Sequence, residues 1–595
     1  MSKKYIDIMD TTFRDGFQSV FGGRVLMNDF FPAVEAAVDA GITHFEFGGG
    51  ARFQSLFFYL QENAFDMMDK FRSIVGPNAN LQTLARGINT VMLDTGSRDL
   101  VNLHAKMFAK HGVTTIRNFD ALNDVQNLEY SAACIKQHGL KHEVVVTMMD
   151  LPPRCEGAHD VAFYEKTLRN ILNSGLAFDS VAFKDASGTS SPQKVYDTIK
   201  MARNLLGDSV HIRLHTHETA GVSVACYLAA LEAGADGIDL AAAPVSGGTS
   251  QPDILTMLHA VKGKNFDLGG LEIDKILKYE EVLGDCLKDY FMPPEATQVL
   301  PLIPFSPMPG GALTANTQMM RDNGTLGKFG EVIKAMQEVV ERGGYGTSVT
   351  PVSQFYWQQA YANVMFGPWE QIAPGYGKMV LGYFGKTPVA PDPAIVDLAA
   401  RKLKLEPTTQ NPLDIADRDE KKSIAYWTKR LEEENIETTE ENIFIAAACD
   451  EKGITFLKGN GPLNVRKISD EQTQTKGKGM SNTTGNYTVV VNGIKYSVQI
   501  AEGDGAGIEI KKVETAPVAV AAGANEEQIS AVVNGTVWKI LVKEGDKVNS
   551  GQTVVILEAM KMEIEIKSPK DGVVTKIVAT QGSAVEEGEA LLFID

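Results

Sequence analysis

Two histidines separated by a single residue, His215 and His217, could bind a divalent metal ion together. They end an apolar strand-like run, and alternate side chains of a β-strand point to the same side. Paired imidazoles suit a transition metal, whereas two structural histidines would explain this pair equally well when it is taken alone. Asp15 ends an earlier strand-like run and adds a carboxylate. Two histidines with one carboxylate predict a metal site.

Lys184 ends a third strand-like run, in a segment that would reach the same site. An ammonium group cannot ligate a metal ion and would repel it. Reaction of the amine with carbon dioxide would give a carbamate, which is an anionic oxygen ligand. Carbamylated Lys184 is therefore a candidate fourth ligand, and an ion pair with a nearby carboxylate is the alternative.

Lys561 lies between two methionines in the sequence Glu-Ala-Met-Lys-Met. An isolated Met-Lys-Met would be an ordinary turn, but here it lies between the halves of an internal repeat. Residues 534–548 match residues 571–585 with a constant offset of 37. Two similar β-rich halves predict a small flattened barrel with quasi-twofold symmetry. Lys561 would then lie at the tip of a hairpin between the halves, which suits a modification site.

The elements that would position the metal-binding side chains alternate along the first half of the chain. Short apolar runs are each followed by a segment long enough for a helix, and eight such units are typical of a closed TIM barrel. An open doubly wound sheet would also alternate, but 10–13, Asp-Thr-Thr-Phe, is not the Gly-rich turn expected after its first strand. The predicted strands are 4–12, 43–49, 80–86, 114–120, 142–150, 180–186, 211–217 and 237–243.

Beyond the barrel, helical patterns dominate, and two linkers then separate two β-rich modules. The Asn492-Gly493 pair predicts a β-hairpin in the first module. We therefore predict an α/β protein with a TIM (β/α)8 barrel, a C-terminal helical extension and a small all-β domain. The predicted segments are the barrel (1–300), the helical extension (301–465), a linker (466–484), a hairpin module (485–513), an Ala/Pro linker (514–527) and the small all-β domain (528–595).

The composition is that of an ordinary globular protein, with 44% apolar and 22% charged residues among 595. A formal net charge of -18 argues against nucleic acid or an anionic membrane surface as a partner. Five scattered cysteines without a CxxC pair indicate reduced thiols. The sequence has no signal-peptide pattern and no apolar run of membrane-spanning length. We therefore expect a cytoplasmic protein.

Three of these motifs resemble those of biotin-dependent carboxyltransferases. Glu558–Met562 resembles the attachment site of biotinyl carrier domains, in which the lysine forms an amide with biotin. Asp10–Gly16 and the His-x-His pair resemble a superfamily of metal-dependent condensing enzymes and lyases. Lys184–Gly188 resembles the Lys-Asp-x-x-Gly segment of carboxyltransferase domains in pyruvate carboxylase and oxaloacetate decarboxylase, where the lysine is carbamylated. The resemblance implies biotin on Lys561 and a divalent metal ion (zinc or manganese, with cobalt also considered) held by Asp15, carbamylated Lys184, His215 and His217.

The same resemblance assigns further residues to the substrate and to biotin. Arg14 and Gln18 match a pair that contacts the substrate, and Arg86 matches an arginine that holds a 2-oxo acid and its enolate. A guanidinium suits both species, and solvated rim arginines are the alternative. Thr350 matches a threonine that moves a proton between the substrate and biotin, and Ser353 of the same segment is expected to contact biotin.

The chain departs from the family pattern at 532–535, Val-Val-Asn-Gly, where many members have Pro-Met-Pro-Gly, and at three single positions. Gln354, Gln54 and Leu93 stand where relatives have lysine, aspartate and tyrosine. The first of these resembles oxaloacetate decarboxylase alpha subunits. These three departures bear on substrate choice and on biotin docking, and they leave the metal site unchanged.

The resemblance implies carboxyl transfer from carboxybiotin to pyruvate, giving oxaloacetate, by the carboxyltransferase and carrier subunit of a two-subunit pyruvate carboxylase. Since no Gly-rich ATP-binding domain is found, a separate ATP-grasp biotin carboxylase subunit would charge the biotin, and a biotin protein ligase would attach it. We also expect a homo-oligomer.

Two alternatives lie within the family: the alpha subunit of a sodium-pumping oxaloacetate decarboxylase, with a membrane partner, and the large subunit of a 2-oxoglutarate carboxylase. Outside it, an acyl-condensing enzyme with an appended carrier domain would need neither the Lys184 carbamate nor biotin. A non-enzymatic carrier would not need Asp15, Lys184, His215, His217 and Thr350 together.

Overall fold

A computed structural model describes residues 3–468, 485–491, 494–500, 527–559 and 562–595. The chain separates into two compact units, Met1–Val465 and Arg466–Asp595, and each is described by itself. Within the described ranges, no helix is both long enough and apolar enough to cross a membrane.

The first unit is built on a closed barrel of parallel strands. They are β1 (Lys4–Asp10), β2 (His44–Glu46), β3 (Asn80–Ala85), β4 (Thr115–Asn118), β5 (Lys141–Thr147), β6 (Ser180–Asp185), β7 (His211–Thr216) and β8 (Gly237–Leu240), and a short β9 (Phe266–Leu268) pairs with β1. The barrel order is β2-β3-β4-β5-β6-β7-β8-β1. Pairing of Asp10 with Phe45 joins β1 to β2 and closes the cylinder. All eight predicted strands are present, and the predicted TIM barrel is confirmed.

Helices cover the outer face of the barrel, which is why its strands read as continuous apolar runs. Val144 and Val146 of β5 are fully buried, as are Val181 and Phe183 of β6. The helices of this part of the chain are α1 (Phe17–Phe21), α2 (Met27–Asp39), α3 (Gly50–Ser55), α4 (Ala64–Val75), α5 (Arg98–Lys110), α6 (Gln126–Gln137), α7 (Val161–Ser174), α8 (Pro192–Leu206), α9 (Ser223–Ala233), α10 (Ile254–Ala260) and α11 (Ile273–Leu287).

The two ends of α8 show how the local sequence determines where these helices begin and end. The Ser191 side chain accepts the backbone N–H of Lys194, and Pro192 occupies the first helical position, where no N–H is needed. Gly207 follows the last turn with a φ of 69°, a conformation that glycine adopts without strain. The sequence therefore starts and stops the helix that lies between the strands carrying Lys184 and His215.

A helical extension continues the first unit, as predicted. Its helices are α12 (Gly310–Asp322), α13 (Phe329–Arg342), α14 (Val352–Phe366), α15 (Pro374–Val380), α16 (Pro393–Leu403), α17 (Pro412–Ala416), α18 (Ile424–Glu433) and α19 (Glu440–Leu457), the last broken at Asp450. The Phe444 ring of α19 packs against Phe53 and Phe108, with centroid distances of 5.7 and 6.3 Å. Aromatic packing thus joins the extension to the barrel in one core.

Short π-helical or 3₁₀ turns connect several of these elements. They are Thr12–Gly16, Leu56–Leu60, Gly87–Asn89, Pro294–Ala296, Ile303–Phe305, Leu326–Lys328 and Glu420–Lys422. The first of them follows β1 directly and carries Arg14 and Asp15 to the carboxyl end of the barrel.

From Gly485 onward, the second unit is all β in its described residues. A hairpin of β10 (Gly485–Val491) and β11 (Ile494–Ile500) pairs Val491 with Ile494, while the predicted turn residues Asn492 and Gly493 lie outside the described residues. Two further sheets have the orders β12-β19-β17-β14 and β16-β15-β13-β18. Their strands are β12 (Glu527–Ser530), β13 (Gly535–Ile540), β14 (Lys547–Val548), β15 (Thr553–Ala559), β16 (Met562–Lys567), β17 (Gly572–Ile577), β18 (Ala584–Val585) and β19 (Ala590–Ile594).

The internal repeat is visible in these two sheets. Adding the offset of 37 to the bounds of β13 gives those of β17, and the same shift takes β14 to β18. Equivalent strands lie in opposite sheets, so the predicted quasi-twofold arrangement is confirmed. Ala559 and Met562 pair across β15 and β16. Lys561 itself lies outside the described residues, as do the predicted linker 466–484 from residue 469 onward and the Ala/Pro linker as far as residue 526.

Candidate active site

A pocket opens at the carboxyl ends of the barrel strands, where functional residues of this fold lie. Seven of the predicted site residues line it: Arg14, Asp15, Gln18, Arg86, Lys184, His217 and Thr350. Apolar side chains, including Leu84, Phe119 and Val349, line the rest of its wall. The structure therefore brings residues from distant parts of the sequence into one small cavity.

Asp15, His215 and His217 converge on one point at the base of this pocket. His215 Nε2 and His217 Nε2 each lie 3.3 Å from Asp15 Oδ2, and the two nitrogens are 3.1 Å apart. All three side chains are buried. In the described part of the chain, they form the one group of histidine, cysteine and acidic side chains with the spacing of a metal site.

Hydrogen bonds orient both imidazoles for metal binding. His215 Nδ1 lies 2.8 Å from Asp239 Oδ2, and His217 Nδ1 lies 2.7 Å from the Thr249 carbonyl oxygen. Each acceptor takes the Nδ1–H, which leaves the Nε2 lone pair directed toward Asp15. The donor set, two imidazoles and one carboxylate, fits a divalent cation.

The charge state of Asp15 and His215 suits the same role. Burial raises the pKa of Asp15, but Arg14 and His217 outweigh it and hold the pKa well below its ordinary value. Burial and the nearby Lys184 lower the pKa of His215. Asp15 is thus ionised and His215 neutral near pH 7, as metal ligands must be.

Lys184 completes the group. Its Nζ lies 2.7 Å from His215 Nε2, and the side chain is 3% exposed. Among the described residues no carboxylate forms an ion pair with it, which weakens the ion-pair alternative. Burial lowers the pKa of Lys184 to about 8 although Asp15 opposes the change. A neutral amine is the form that reacts with carbon dioxide, so the environment favours carbamylation.

Arg14 is held inside the barrel mouth by two carboxylates. Its guanidinium donates to Glu46 Oε1 at 2.5 Å and to Asp15 Oδ1 at 3.0 Å. Gln18 Oε1 accepts from the Ala51 backbone N–H at 3.1 Å and lies 3.4 Å from Arg14 Nη1. The cationic charge of Arg14 is therefore already balanced by these two carboxylates, while its side chain lines the pocket.

Arg86 differs from Arg14 because its hydrogen-bond acceptors are backbone carbonyl oxygens and not carboxylates. Its Nη1 donates to the carbonyl oxygens of Val91 and Met92, at 2.5 and 3.1 Å, which anchor the side chain without neutralising it. Its Nε has no hydrogen-bond partner within the described residues. Burial and Arg14 lower the pKa of Arg86 to about 9. An unneutralised, buried guanidinium at the pocket wall favours the binding of an anionic group such as a carboxylate.

The segment that carries Thr350 and Ser353 places them differently. Thr350 lines the pocket and is half-buried. Ser353 lies in the first turn of α14, is 1% exposed and is not part of the pocket wall. Gln54, one of the departures from the family pattern, donates to the Ala448 carbonyl oxygen at 2.6 Å and ties α3 to α19.

Sequence reasoning missed three residues that support the metal-binding group through hydrogen bonds. Asp239 lies on β8, and Thr249 and Gln251 lie in the loop after it. Gln251 Nε2 is 2.8 Å from Asp15 Oδ2 and 3.1 Å from His217 Nε2. The rule that loops after barrel strands line the site could have flagged this loop, but no motif marks these residues.

Three family models match the chain. A model described as "Conserved carboxylase domain" matches residues 303–500, one described as "Biotin-requiring enzyme" matches residues 527–594, and one described as "HMGL-like" matches residues 99–282. The first match covers most of the helical extension and the β10–β11 hairpin, the second covers the small all-β domain, and the third covers β4 to β9.

Relatives match nearly the whole chain. A pyruvate carboxylase subunit of Methanocaldococcus jannaschii is 31% identical over 94% of this chain and 94% of its own length. The 2-oxoglutarate carboxylase large subunit of Hydrogenobacter thermophilus is 28% identical over 95% of this chain and 91% of its own. The carboxyl transferase domain from Rhizobium etli pyruvate carboxylase is 22% identical, with a TM-score of 0.68 over 95% of this chain and 89% of that one. This last likeness supports the fold alone.

Proposed function

Because this chain belongs to a family of biotin-dependent carboxyltransferases that includes subunits of pyruvate carboxylase, we propose that it is the carboxyltransferase and biotin carrier subunit of a two-subunit pyruvate carboxylase. It transfers a carboxyl group from biotin to pyruvate, giving oxaloacetate. The observation that carries the proposal is the pocket in which the metal-binding group meets the unneutralised Arg86 and the Thr350 hydroxyl.

The proposed cofactors are biotin and a divalent metal ion. The small all-β domain matches a biotin-requiring family, and biotin would be joined by an amide to Lys561, which lies outside the described residues. Asp15, His215 and His217 would hold the metal with carbamylated Lys184, and zinc, manganese and cobalt are the candidate ions. When bound, such an ion supplies Lewis-acid polarisation of a carbonyl oxygen.

The side chains of the pocket have separate roles in the proposed reaction. Arg86 binds the substrate carboxylate or the enolate oxygen through its guanidinium, with Gln18 beside it. Thr350 accepts a proton from the methyl carbon of pyruvate and passes it to the biotin nitrogen that has given up its carboxyl group. The apolar wall formed by Leu84 and Phe119 excludes water from the reacting carbon.

Ser353 has a weaker place in this proposal. Its buried Oγ has no hydrogen-bond partner in the described residues, so it could serve a ligand only if the first turn of α14 shifted. Contact with biotin remains its predicted role.

The energy for carboxylation would come from another polypeptide. The Methanocaldococcus jannaschii relative is named as a subunit and the Hydrogenobacter thermophilus relative as a large subunit, and both names support a separate partner subunit. We propose an ATP-grasp biotin carboxylase as that partner and a biotin protein ligase for attachment. The homo-oligomer, the domain bounds and the cytoplasmic location stay predictions.

Two other functions in the family have specific support. Gln354 favours the alpha subunit of an oxaloacetate decarboxylase, in which the same transfer runs in reverse with a membrane partner. The Hydrogenobacter thermophilus relative favours a 2-oxoglutarate carboxylase. Both would use the same pocket and the same biotin.

Co-purification of the tagged full chain from its native cells tests these functions together. We expect a soluble ATP-binding partner, and ATP- and bicarbonate-dependent formation of oxaloacetate from pyruvate by the complex. A membrane partner with sodium-dependent decarboxylation would replace the proposal with the second function, and faster carboxylation of 2-oxoglutarate would replace it with the third. A Lys561 peptide without a biotin mass would contradict all three.

A further inference from the structure

Gln251 is a fully buried amide that touches the metal-binding group directly. Its Nε2 lies 2.8 Å from Asp15 Oδ2 and 3.1 Å from His217 Nε2. Its Oε1 lies 2.8 Å from Thr11 Oγ1 and 3.2 Å from Ser250 Oγ, and each of these hydroxyls can donate or accept a hydrogen bond. The two ends of this amide have the same shape, so their assignment depends on which neighbours donate and which accept.

The Thr11 hydroxyl can accommodate either orientation, because the Leu240 carbonyl oxygen already accepts the Thr11 backbone N–H at 2.8 Å. Its Oγ1 lies 2.9 Å from the Leu240 carbonyl oxygen as well as 2.8 Å from the Gln251 amide. A hydroxyl has one proton, and a carbonyl oxygen can only accept. If Thr11 donates to Leu240, its oxygen must accept from Gln251, and the amide nitrogen must then face Thr11. The Gln251 carbonyl oxygen would in that case face Asp15 and His217.

A bound cation would favour the orientation in which the Gln251 carbonyl oxygen faces Asp15 and His217. With the nitrogen inward, the N–H groups of Gln251 bond to Asp15 and His217 and point at the position that a shared cation would occupy. With the oxygen inward, Gln251 presents a lone pair to that position, and both contacts of Thr11 are satisfied. A bound cation repels the first arrangement and attracts the second.

The spacing of these atoms is that of ligands around one ion. The separations among the Gln251 amide atom, Asp15 Oδ2, His215 Nε2 and His217 Nε2 given above lie between 2.8 and 3.3 Å. Two atoms bound to one zinc-sized ion at ~2.1 Å and at right angles are ~3 Å apart. The amide therefore lies where a further ligand would lie. Only rotation of the amide is needed to turn its oxygen toward the ion.

We propose that the side-chain carbonyl oxygen of Gln251 is an additional ligand of the metal ion, with the Thr11 hydroxyl holding the amide nitrogen. This inference rests on the metal site of the proposed function. In the metal-free protein the amide rotates and its N–H groups hold Asp15 and His217 together. Rotation of one amide therefore accompanies metal binding.

The test compares Gln251→Leu with Gln251→Glu in the full-length chain. Leucine keeps the volume but has no ligand atom, whereas glutamate keeps the inward oxygen but has no N–H to donate. Co²⁺ binding is measured by competition with a chromophoric chelator, and the visible absorption of the bound Co²⁺ reports its coordination number. Circular dichroism of each metal-free variant checks folding, and Gln137→Leu on the exposed end of α6 is the control.

We expect Gln251→Leu to weaken Co²⁺ binding by about tenfold or more and to strengthen the visible absorption per ion, because the coordination number falls. Gln251→Glu should bind Co²⁺ at least as tightly as the unaltered chain. Unchanged binding by Gln251→Leu, or binding by Gln251→Glu as weak as that of the leucine variant, would overturn the inference and leave the proposed function standing. An unaltered chain that binds no Co²⁺ would refute both the proposed metal site and this ligand.

Discussion

Asp239 and His215 form a fully buried carboxylate–histidine pair, with 2.8 Å between Asp239 Oδ2 and His215 Nδ1. Arg117 also donates to Oδ2, and Arg213 donates to Oδ1 at 3.1 Å. Every oxygen of this carboxylate thus faces an N–H donor. The pair links a predicted metal ligand to a network of charges that fills the interior of the barrel.

Asp239→Asn should weaken both metal binding and the fold, because an amide group would turn its own N–H₂ toward one of the arginines. We expect metal affinity to fall about 10- to 100-fold and the free energy of unfolding to fall by about 3–5 kcal/mol. Metal competition and chemical unfolding measure the two effects. Asp236→Asn is a matched control, since Asp236 pairs with Lys4 and Arg203 and contacts no metal ligand. Equal metal affinity in both variants would contradict the orienting role of Asp239.

Lys184→Ala should abolish carboxyl transfer and leave biotinylation intact. The lysine lies beside His215 in the barrel mouth, whereas the biotin domain belongs to the other unit of the chain. Carboxyl transfer is measured by oxaloacetate formation, and biotin by the mass of the intact chain. Retained transfer would remove Lys184 from the site, and lost biotinylation would show that the variant acts through folding.

Arg86→Lys should lower kcat/KM for the 2-oxo acid by about 10²- to 10³-fold. The two carbonyl oxygens that anchor Arg86 hold a planar guanidinium, and a flexible ammonium cannot keep both anchors and still present a donor to the substrate. Steady-state kinetics with pyruvate measure the effect, and Arg98→Lys, which replaces a surface arginine, is the control. An unchanged kcat/KM in Arg86→Lys would contradict the role of Arg86, whether or not the control Arg98→Lys changes.

Stability of the barrel unit should fall in acid through His104. Burial lowers the pKa of His104 to about 3, and its ring packs against Phe108 and Phe444. The folded state therefore binds fewer protons than the unfolded state between pH 6.5 and 3, so stability is full above pH 6.5 and is lost as the pH falls. This one group should cost about 2 kcal/mol between pH 7 and pH 5. Chemical unfolding at pH 7 and pH 5 measures the loss in the unaltered chain and in His104→Phe. Between these pH values the variant should lose about 2 kcal/mol less stability than the unaltered chain. An equal loss in both would contradict the assignment of this effect to His104.

The barrel was predictable because its buried strands and capped helices leave local marks in the sequence. β2 is shorter than predicted, His44–Glu46 instead of 43–49, because Gly48, Gly49 and Gly50 turn the chain away from the sheet with positive φ values. The predicted placement of Asp15, Lys184 and the two histidines at one rim is borne out, since strand order fixes which carboxyl ends meet.

The supporting residues could not be predicted in the same way. Asp239, Thr249 and Gln251 act through hydrogen bonds whose partners come from other strands and loops. Single polar residues in such loops have no periodicity and no motif, so only the folded path of the chain reveals them. Of the Thr350 segment, Thr350 lines the pocket, whereas Ser353 is buried in the first turn of α14 and is not part of the pocket wall.

Isotope exchange between labelled pyruvate and oxaloacetate tests the central claim most directly, because the proposed transfer is reversible and this half of the reaction needs neither ATP nor the partner subunit. The purified, biotinylated chain should move the label from pyruvate into oxaloacetate without ATP or bicarbonate. Lys561→Ala and Lys184→Ala should each abolish the exchange. Absence of exchange in the biotinylated chain, or exchange that persists in Lys561→Ala, would contradict the account.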